Sequence, residues 1–434
     1  MKKENQIKEK KDYPELSLDE LANILDLTIK QDKENKIITF LCQLSAFTEN
    51  SQFNVLFNAP SSTGKSYIPT EIANLFPSED VIELSYCSPT AFFHDQGHYD
   101  KEKLIQIVDL SRKILIFLDQ PHNDLLARLR PVLSHDRKEL ISKITDKNQK
   151  FGLRTKTIKI IGYPSVIFCT AKFEIDEQEA TRFILLSPEI NSEKIKKGVN
   201  MSIKKAADPN EYISWLDMDP NRSELKERII AIRDEKINEI IMPSIESLET
   251  KFLERVTLLK PRHQRDIKRI ISFAQSIALL NLWNRERDGN NIIANESDVD
   301  EAFKIWDEIS FSQELNLPPY IYNLFNDVIV PAWIKLNMSV DEGINIKYKN
   351  EGLSRQEILN KHYDIYGKML EKSQFIKNIL PMMETAGLIY QENDKNGDKR
   401  RKLIYPFTNM LPKDIQNNMI TRGGVTEDSE DSSE

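Results

Sequence analysis

Hydrophobic positions change period several times along this chain, and each change predicts a different element. Ser17-Leu18-Asp19-Glu20 has the form of a capping box, and Leu21, Ile24 and Leu25 behind it fall on one helical face. A second helix, Lys33 to Thr48, directs Ile37, Ile38, Leu41, Cys42 and Leu44 to one side. Short apolar runs at Val55–Phe57, Val81–Leu84, Ile114–Leu118 and Ser165–Thr170 predict strands. Ile114–Leu118 is apolar throughout, as a strand covered on both faces is. Asp100 to Leu110 reads as a helix. Ile141 to Gly162 alternates on either side of an Asn148–Gly152 turn and predicts a β-hairpin.

Residues 190 to 312 follow helical spacing. Their longest helix, Pro261 to Trp283, gathers Ile267, Ile270, Ile271, Ala274, Ile277 and Ala278 on one face, and Asn295 to Ile309 closes the region. Pro318-Pro319 then breaks the chain, and a helical stretch interrupted at Pro331 follows. A second capping box, Ser354-Arg355-Gln356-Glu357, opens a helix toward Tyr366. The next helix starts at Ser373, turns Ile376, Ile379, Leu380 and Met383 inward and ends at Gly387. Pro381 lies inside it, in conflict with the assignment. Leu388–Gln391 and Leu403–Tyr405 read as strands joined by the basic segment Asp394–Lys402.

The chemistry concentrates where the first apolar run meets a helix. Ala59-Pro60-Ser61-Ser62-Thr63-Gly64-Lys65-Ser66 is a P-loop with alanine at its first glycine position. A strand-to-helix turn aims backbone N–H groups at a phosphate. Gly64 lets the backbone approach, Lys65 reaches the terminal phosphates and Ser66 meets Mg²⁺. The ligands this implies are ATP and Mg²⁺. Asp119, at the end of Ile114–Leu118, reads as the Walker B carboxylate that helps hold the metal. Gln120 follows, where ATPases of this kind usually place a glutamate. An amide orients water but cannot take its proton, so the general base is open, with His122 and Asp136 as neighbours in sequence.

At 434 residues the chain allows two to four domains. Its formal net charge of −8 excludes a uniformly basic surface, so nucleic-acid contacts must come from local patches. The hairpin carries Lys143, Lys147, Lys150, Arg154, Lys156 and Lys159 against Asp146, and the later wing carries Lys395, Lys399, Arg400, Arg401 and Lys402. Cys42, Cys87 and Cys169 are too scattered for a disulfide framework or zinc site. No apolar run reaches the roughly 18 residues of a membrane span, and the N-terminus is charged, so the expectation is a cytoplasmic protein with no membrane partner. Residues 413–434 end in serines and acids and read as a disordered tail.

The order of these parts (P-loop, apolar strand with Asp119, basic hairpin, the strand ending at Thr170, then Arg182-Phe183 before an apolar run) resembles AAA+ ATPases. The hairpin placed immediately before the Thr170 strand resembles the MCM-like helicase branch. The resemblance implies an AAA+ core at 35–190 after an N-terminal segment at 1–34 and a helical lid at 191–312, while at 313–412 three helices followed by a basic hairpin read as a winged helix, which binds DNA or serves as a protein-interaction module. The resemblance places sensor 1 at Thr170, with Lys172 as rival, and sensor 2 at Arg265, with Arg262 second. Arg182 becomes an arginine acting on the neighbour's ATP. DNA contacts fall on Lys147, Lys150, Arg154 and Lys156 of the hairpin, Lys377 of the recognition helix, and Lys399, Arg400, Arg401 and Lys402 of the wing. The implied protein is a homo-oligomeric ring, a hexamer, that unwinds or moves along DNA in replication of a mobile element or plasmid, with an initiator or loader as a further partner. Two other readings stay open: a non-motor switch that binds ATP and recruits partners, which Gln120 favours, and a small-molecule kinase, which leaves the lid and winged helix unexplained.

Overall fold

A computed structural model describes residues 13–85, 98–100, 105–119, 123–135, 137–146, 154–171, 182–256, 258–341, 345–394 and 400–411. The chain divides into two compact units, one extending to Gln313 and one from Glu314 onward that also takes in Ile190–Ser192.

The first unit is α/β. Its main sheet has five strands, all parallel, in the order Val81–Leu84, Ile114–Phe117, Ser165–Thr170, Asn54–Asn58, Ile184–Leu186. Successive residues of these strands enter two separate cores. Val55, Phe57, Ile114, Ile116, Ile167 and Cys169 pack on one face beneath helices that include Lys33–Ser45, Tyr67–Ala73 and His263–Leu280. Leu56, Leu115, Phe117, Val166 and Phe168 pack on the other, under Asn123–Leu133. The continuous apolar runs therefore follow from burial on both faces. Phe168 packs against Phe117 and Phe183 with ring centroids 4.8 and 5.0 Å away. Burying one such ring contributes about 1.5–3 kcal/mol.

A second sheet covers this latter face. It runs His98–Asp100, Ile105–Asp109, Arg154–Ile161, Glu139–Asp146, and the last two strands form the expected antiparallel hairpin. The helix expected at Asp100–Leu110 is corrected here to strands. Ile105–Asp109 pairs in parallel with Thr157–Ile161, and Val108 joins Ile158 and Ile160 in the core. Pairing with a long neighbour overrides the weak helical spacing. Gly162 ends the hairpin at φ +87°, with Ser111 so close that a Cβ would lie 2.2 Å from its Oγ. Only glycine fits that approach.

Residues 192–314 are mainly helical. Two of their helices, Pro209–Asp217 and Pro220–Glu235, open on an Asp-Pro pair: Asp208 and Asp219 accept backbone N–H bonds, while proline at the first helical position needs none. The purely helical expectation is corrected by a small sheet of Ile240–Ile241, Asn291–Ile293 and Glu286–Asp288. Gln313 at the end of Glu296–Glu314 holds Leu185 of the main sheet, accepting from its N–H at 3.0 Å and donating to its carbonyl at 2.7 Å.

In the second unit both interior prolines are accommodated by the same device. Phe325–Ile329 and Phe375–Ile379 are π-helical turns, in which Val330 N–H donates to Phe325 O and Leu380 N–H to Phe375 O. Pro331 and Pro381 follow directly, one residue into the next α-helical segments, Val330–Asn337 and Leu380–Thr385. Widening the turn relieves the clash that proline imposes on the preceding carbonyls, so each helix continues. Ser354 and Glu357 form the expected capping box of Arg355–Tyr366. Gly387, at φ +70°, follows the second proline-bearing helix, and Leu353–Ser354, Lys402–Pro406 and Ile389–Asn393 form an antiparallel sheet.

Candidate functional site

Adjacent strands Asn54–Asn58 and Ser165–Thr170 send the chain to opposite edges of the sheet, toward Val81–Leu84 and Ile184–Leu186. A crevice outside the carboxyl ends of two such strands is where open α/β sheets bind ligands. Ala59–Ser66 lies there. Ala59 is buried and donates its N–H to Thr170 O at 3.4 Å, while Ser61, Ser62 and Ser66 are exposed. Ser62 and Gly64 take φ values of +68° and +93°, which turn the backbone between strand and helix. Ile68 N–H already reaches Gly64 O at 3.2 Å, so helical bonding begins inside the loop, and Ser66 stands directly before Tyr67–Ala73.

The loop is held from below. Cys169 Sγ donates to Lys65 O at 3.3 Å, and Ser187 Oγ donates to Asn58 O at 2.6 Å, with Asn35 bonded in turn to Ser187 O. Pro60 O accepts from Thr63 Oγ1 at 2.9 Å and from Lys65 Nζ at 3.4 Å, so the lysine folds back on its own loop. Asp119 is exposed two residues beyond Ile114–Phe117, one strand away from Asn54–Asn58 across Ser165–Thr170. Burial pushes the Cys169 thiol up to about 12, the Lys65 ammonium opposing that rise and the Asp119 carboxylate adding to it. Thr170 is buried at the end of the same strand.

Arg182 and Arg265 are brought together elsewhere. They line a cleft of about 280 Å³ with Phe53, Asn54, Ser134, His135, Lys268 and Arg269. Asn54 begins its strand, so the cleft opens at the amino edge of the sheet, about 13 Å along the strand from the loop. Arg182 Nε donates to Ser134 Oγ at 2.8 Å. Asn54 fixes the wall by donating to Leu133 O and accepting from Val166 N–H. Arg262 instead pairs with Asp266 at 2.9 Å and also reaches Gln313 O. Arg269 pairs with Asp266 at 3.1 Å and donates to Phe183 O, and burial pulls its guanidinium down to about 10.

Sequence reasoning missed Ser134, Lys268 and Cys169. The spacing of Arg265 and Lys268 on one helical face was the available signal for the second. Gln120, His122, Asp136, Lys147, Lys150, Lys172 and Lys399 lie outside the described residues, as does the hairpin turn. Arg154 and Lys156 stand in the Arg154–Ile161 strand. Lys377 is exposed on the Phe375–Ile379 turn, and Arg400, Arg401 and Lys402 are exposed at the start of the Lys402–Pro406 strand. Among the described residues no helix is long and apolar enough to cross a membrane. No family model and no curated protein matches the chain.

Proposed function

We propose that the chain is an ATP-hydrolysing DNA translocase or helicase of the MCM-like AAA+ kind. The observation that carries this reading is the placement of Lys65 and Asp119 beyond the carboxyl ends of the two strands that flank Ser165–Thr170, with Gly64 at positive φ between strand and helix. The donor set suits a nucleoside triphosphate and a hard cation: a cation at Lys65, a hydroxyl at Ser66 and a carboxylate at Asp119, at the end of parallel strands. When bound, Mg²⁺ supplies positive charge across the phosphate oxygens. Lys65 would leave Pro60 O for the terminal phosphates, and Asp119 and Ser66 would hold the metal. Thr170 and Gln120 would orient water, and the proton acceptor is left unassigned. The helical region at 192–314 would serve as the lid and the second unit as a winged helix, with Lys377 on its recognition helix.

Arg182 and Arg265 lie at the other edge of the sheet from Lys65, which supports a site shared between copies, each lending cations to its neighbour. In the ring so formed, a hexamer, the hairpin would follow the DNA backbone. The test is ATP turnover of the purified protein with and without DNA. Stimulation is expected, and substituting Lys147, Lys150 and Arg154 together with alanine should remove it while basal turnover and assembly persist. Turnover indifferent to DNA would instead support the non-motor switch.

The wing gives an independent measurement. Removing one cation that neutralises a phosphate reduces the log–log salt dependence of DNA affinity by roughly 0.9, so neutralising Lys399, Arg400, Arg401 and Lys402 should lower the slope by at most about 3 to 4. An unchanged slope, measured by fluorescence anisotropy at a series of salt concentrations, would reassign the second unit to protein partners.

A further inference from the structure

The cleft at the amino edge of the main sheet is lined by Arg182, Arg265, Lys268 and Arg269, and among the described residues no carboxylate lines it. Asp266, next to Arg265 in sequence, is turned inward with 2% of its side chain exposed and serves Arg262 and Arg269. Lys268 follows Arg265 by three positions on His263–Leu280, so the two share a face. Both are exposed. Among the described residues Lys268 has no ion-pair partner. Lys268 thus adds its charge to those of Arg182 and Arg265 along one cleft, and an anion entering there meets all three. We infer that Lys268 is a third phosphate-binding cation of this half-site, touching the triphosphate held by a neighbouring copy beside Arg182 and Arg265.

The inference rests on the shared-site reading, because the cleft is too far from its own Ala59–Ser66 loop to serve it. Lys268 brings a compact charge with three rotatable donors, suited to following the terminal oxygens, whereas Ser134 holds Arg182 at Nε and limits how its planar fork moves. Neither role transfers a proton. Lys268 remains an ammonium throughout and acts by charge and hydrogen bonding.

Two measurements on the full chain test the inference. The first needs no turnover: Lys65→Ala removes the loop's own phosphate ligand, and pyrophosphate binding to that variant is followed by calorimetry. Residual binding is expected, with Lys268→Gln weakening it about tenfold. No binding, or affinity indifferent to Lys268→Gln, overturns the proposal. The second measures ATP turnover. Lys268→Gln should lower kcat about 10²-fold while ATP binding persists. Mixing it with Asp119→Ala subunits should recover activity, and mixing it with Arg182→Ala should not, since both variants damage the same side of the interface. Wild-type turnover by Lys268→Gln, alongside recovery in the Arg182→Ala and Asp119→Ala mixture, would discard Lys268 and leave the shared site standing. Full activity of Arg182→Ala would discard the shared site itself. Because Lys268 is exposed, its replacement leaves the core intact and any loss is read as function.

Discussion

Replacing Lys65 with alanine should reduce ATP turnover by at least about 10²–10³-fold, the effect of removing one positioned charge donor from a phosphoryl-transfer site. Lys65 Nζ donates to Pro60 O within its own loop at 3.4 Å, a long bond that it would exchange for a charge-assisted one to a phosphate oxygen. It belongs to neither core, and its removal leaves Val55, Phe57 and Cys169 packed as before. The expected result is therefore a folded protein with an unchanged melting temperature that no longer hydrolyses ATP. Asp119→Ala should fall as far by removing the carboxylate on the other side of Cys169. Turnover that survives Lys65→Ala would remove the basis for any ATPase reading.

The parts of this site that could be read from sequence are those encoded within one short segment. A strand covered on both faces leaves an unbroken apolar run, which is why Ile114–Phe117 and its exposed Asp119 stand out. The Ala59–Ser66 loop is likewise contained in eight consecutive residues. The strand at Ile105–Asp109 escaped because its pairing partner lies about fifty residues later, and five residues of mixed pattern do not choose between periods. Pro381 conflicted with a helix only while every turn was taken to be α-helical. A π-helical turn before it needs no sequence mark beyond the proline itself. The basic cleft was legible only in pieces, since Ser134, Arg182 and Lys268 come from three separate segments and meet through packing of the sheet, Asn123–Leu133 and His263–Leu280. Helical periodicity assigns Arg265 and Lys268 to one face without saying what that face meets.

Arg182→Ala should abolish hydrolysis while leaving ATP binding nearly unchanged, because the residue is absent from the loop that would hold the nucleotide. An arginine supplied to a phosphoryl-transfer site by a neighbour is worth about 10³–10⁵ in rate. The position of Arg182 makes its own loop an implausible target: its Nε is bonded to Ser134, in a cleft beginning at Asn54, whereas Lys65 lies beyond Asn58 at the other end of that strand. A head-to-tail contact between copies would bring the amino edge of one sheet to the carboxyl edge of the next. Arg182→Ala and Asp119→Ala subunits should consequently complement each other. In an equal random mixture of independent head-to-tail interfaces, about one in four joins an intact Asp119 side to an intact Arg182 side, so turnover should recover to about a quarter of wild type. Neither variant recovers alone, and a mixture that stays inactive while light scattering reports mixed assemblies would assign Arg182 to its own subunit, as a brace between Ser134 and the sheet.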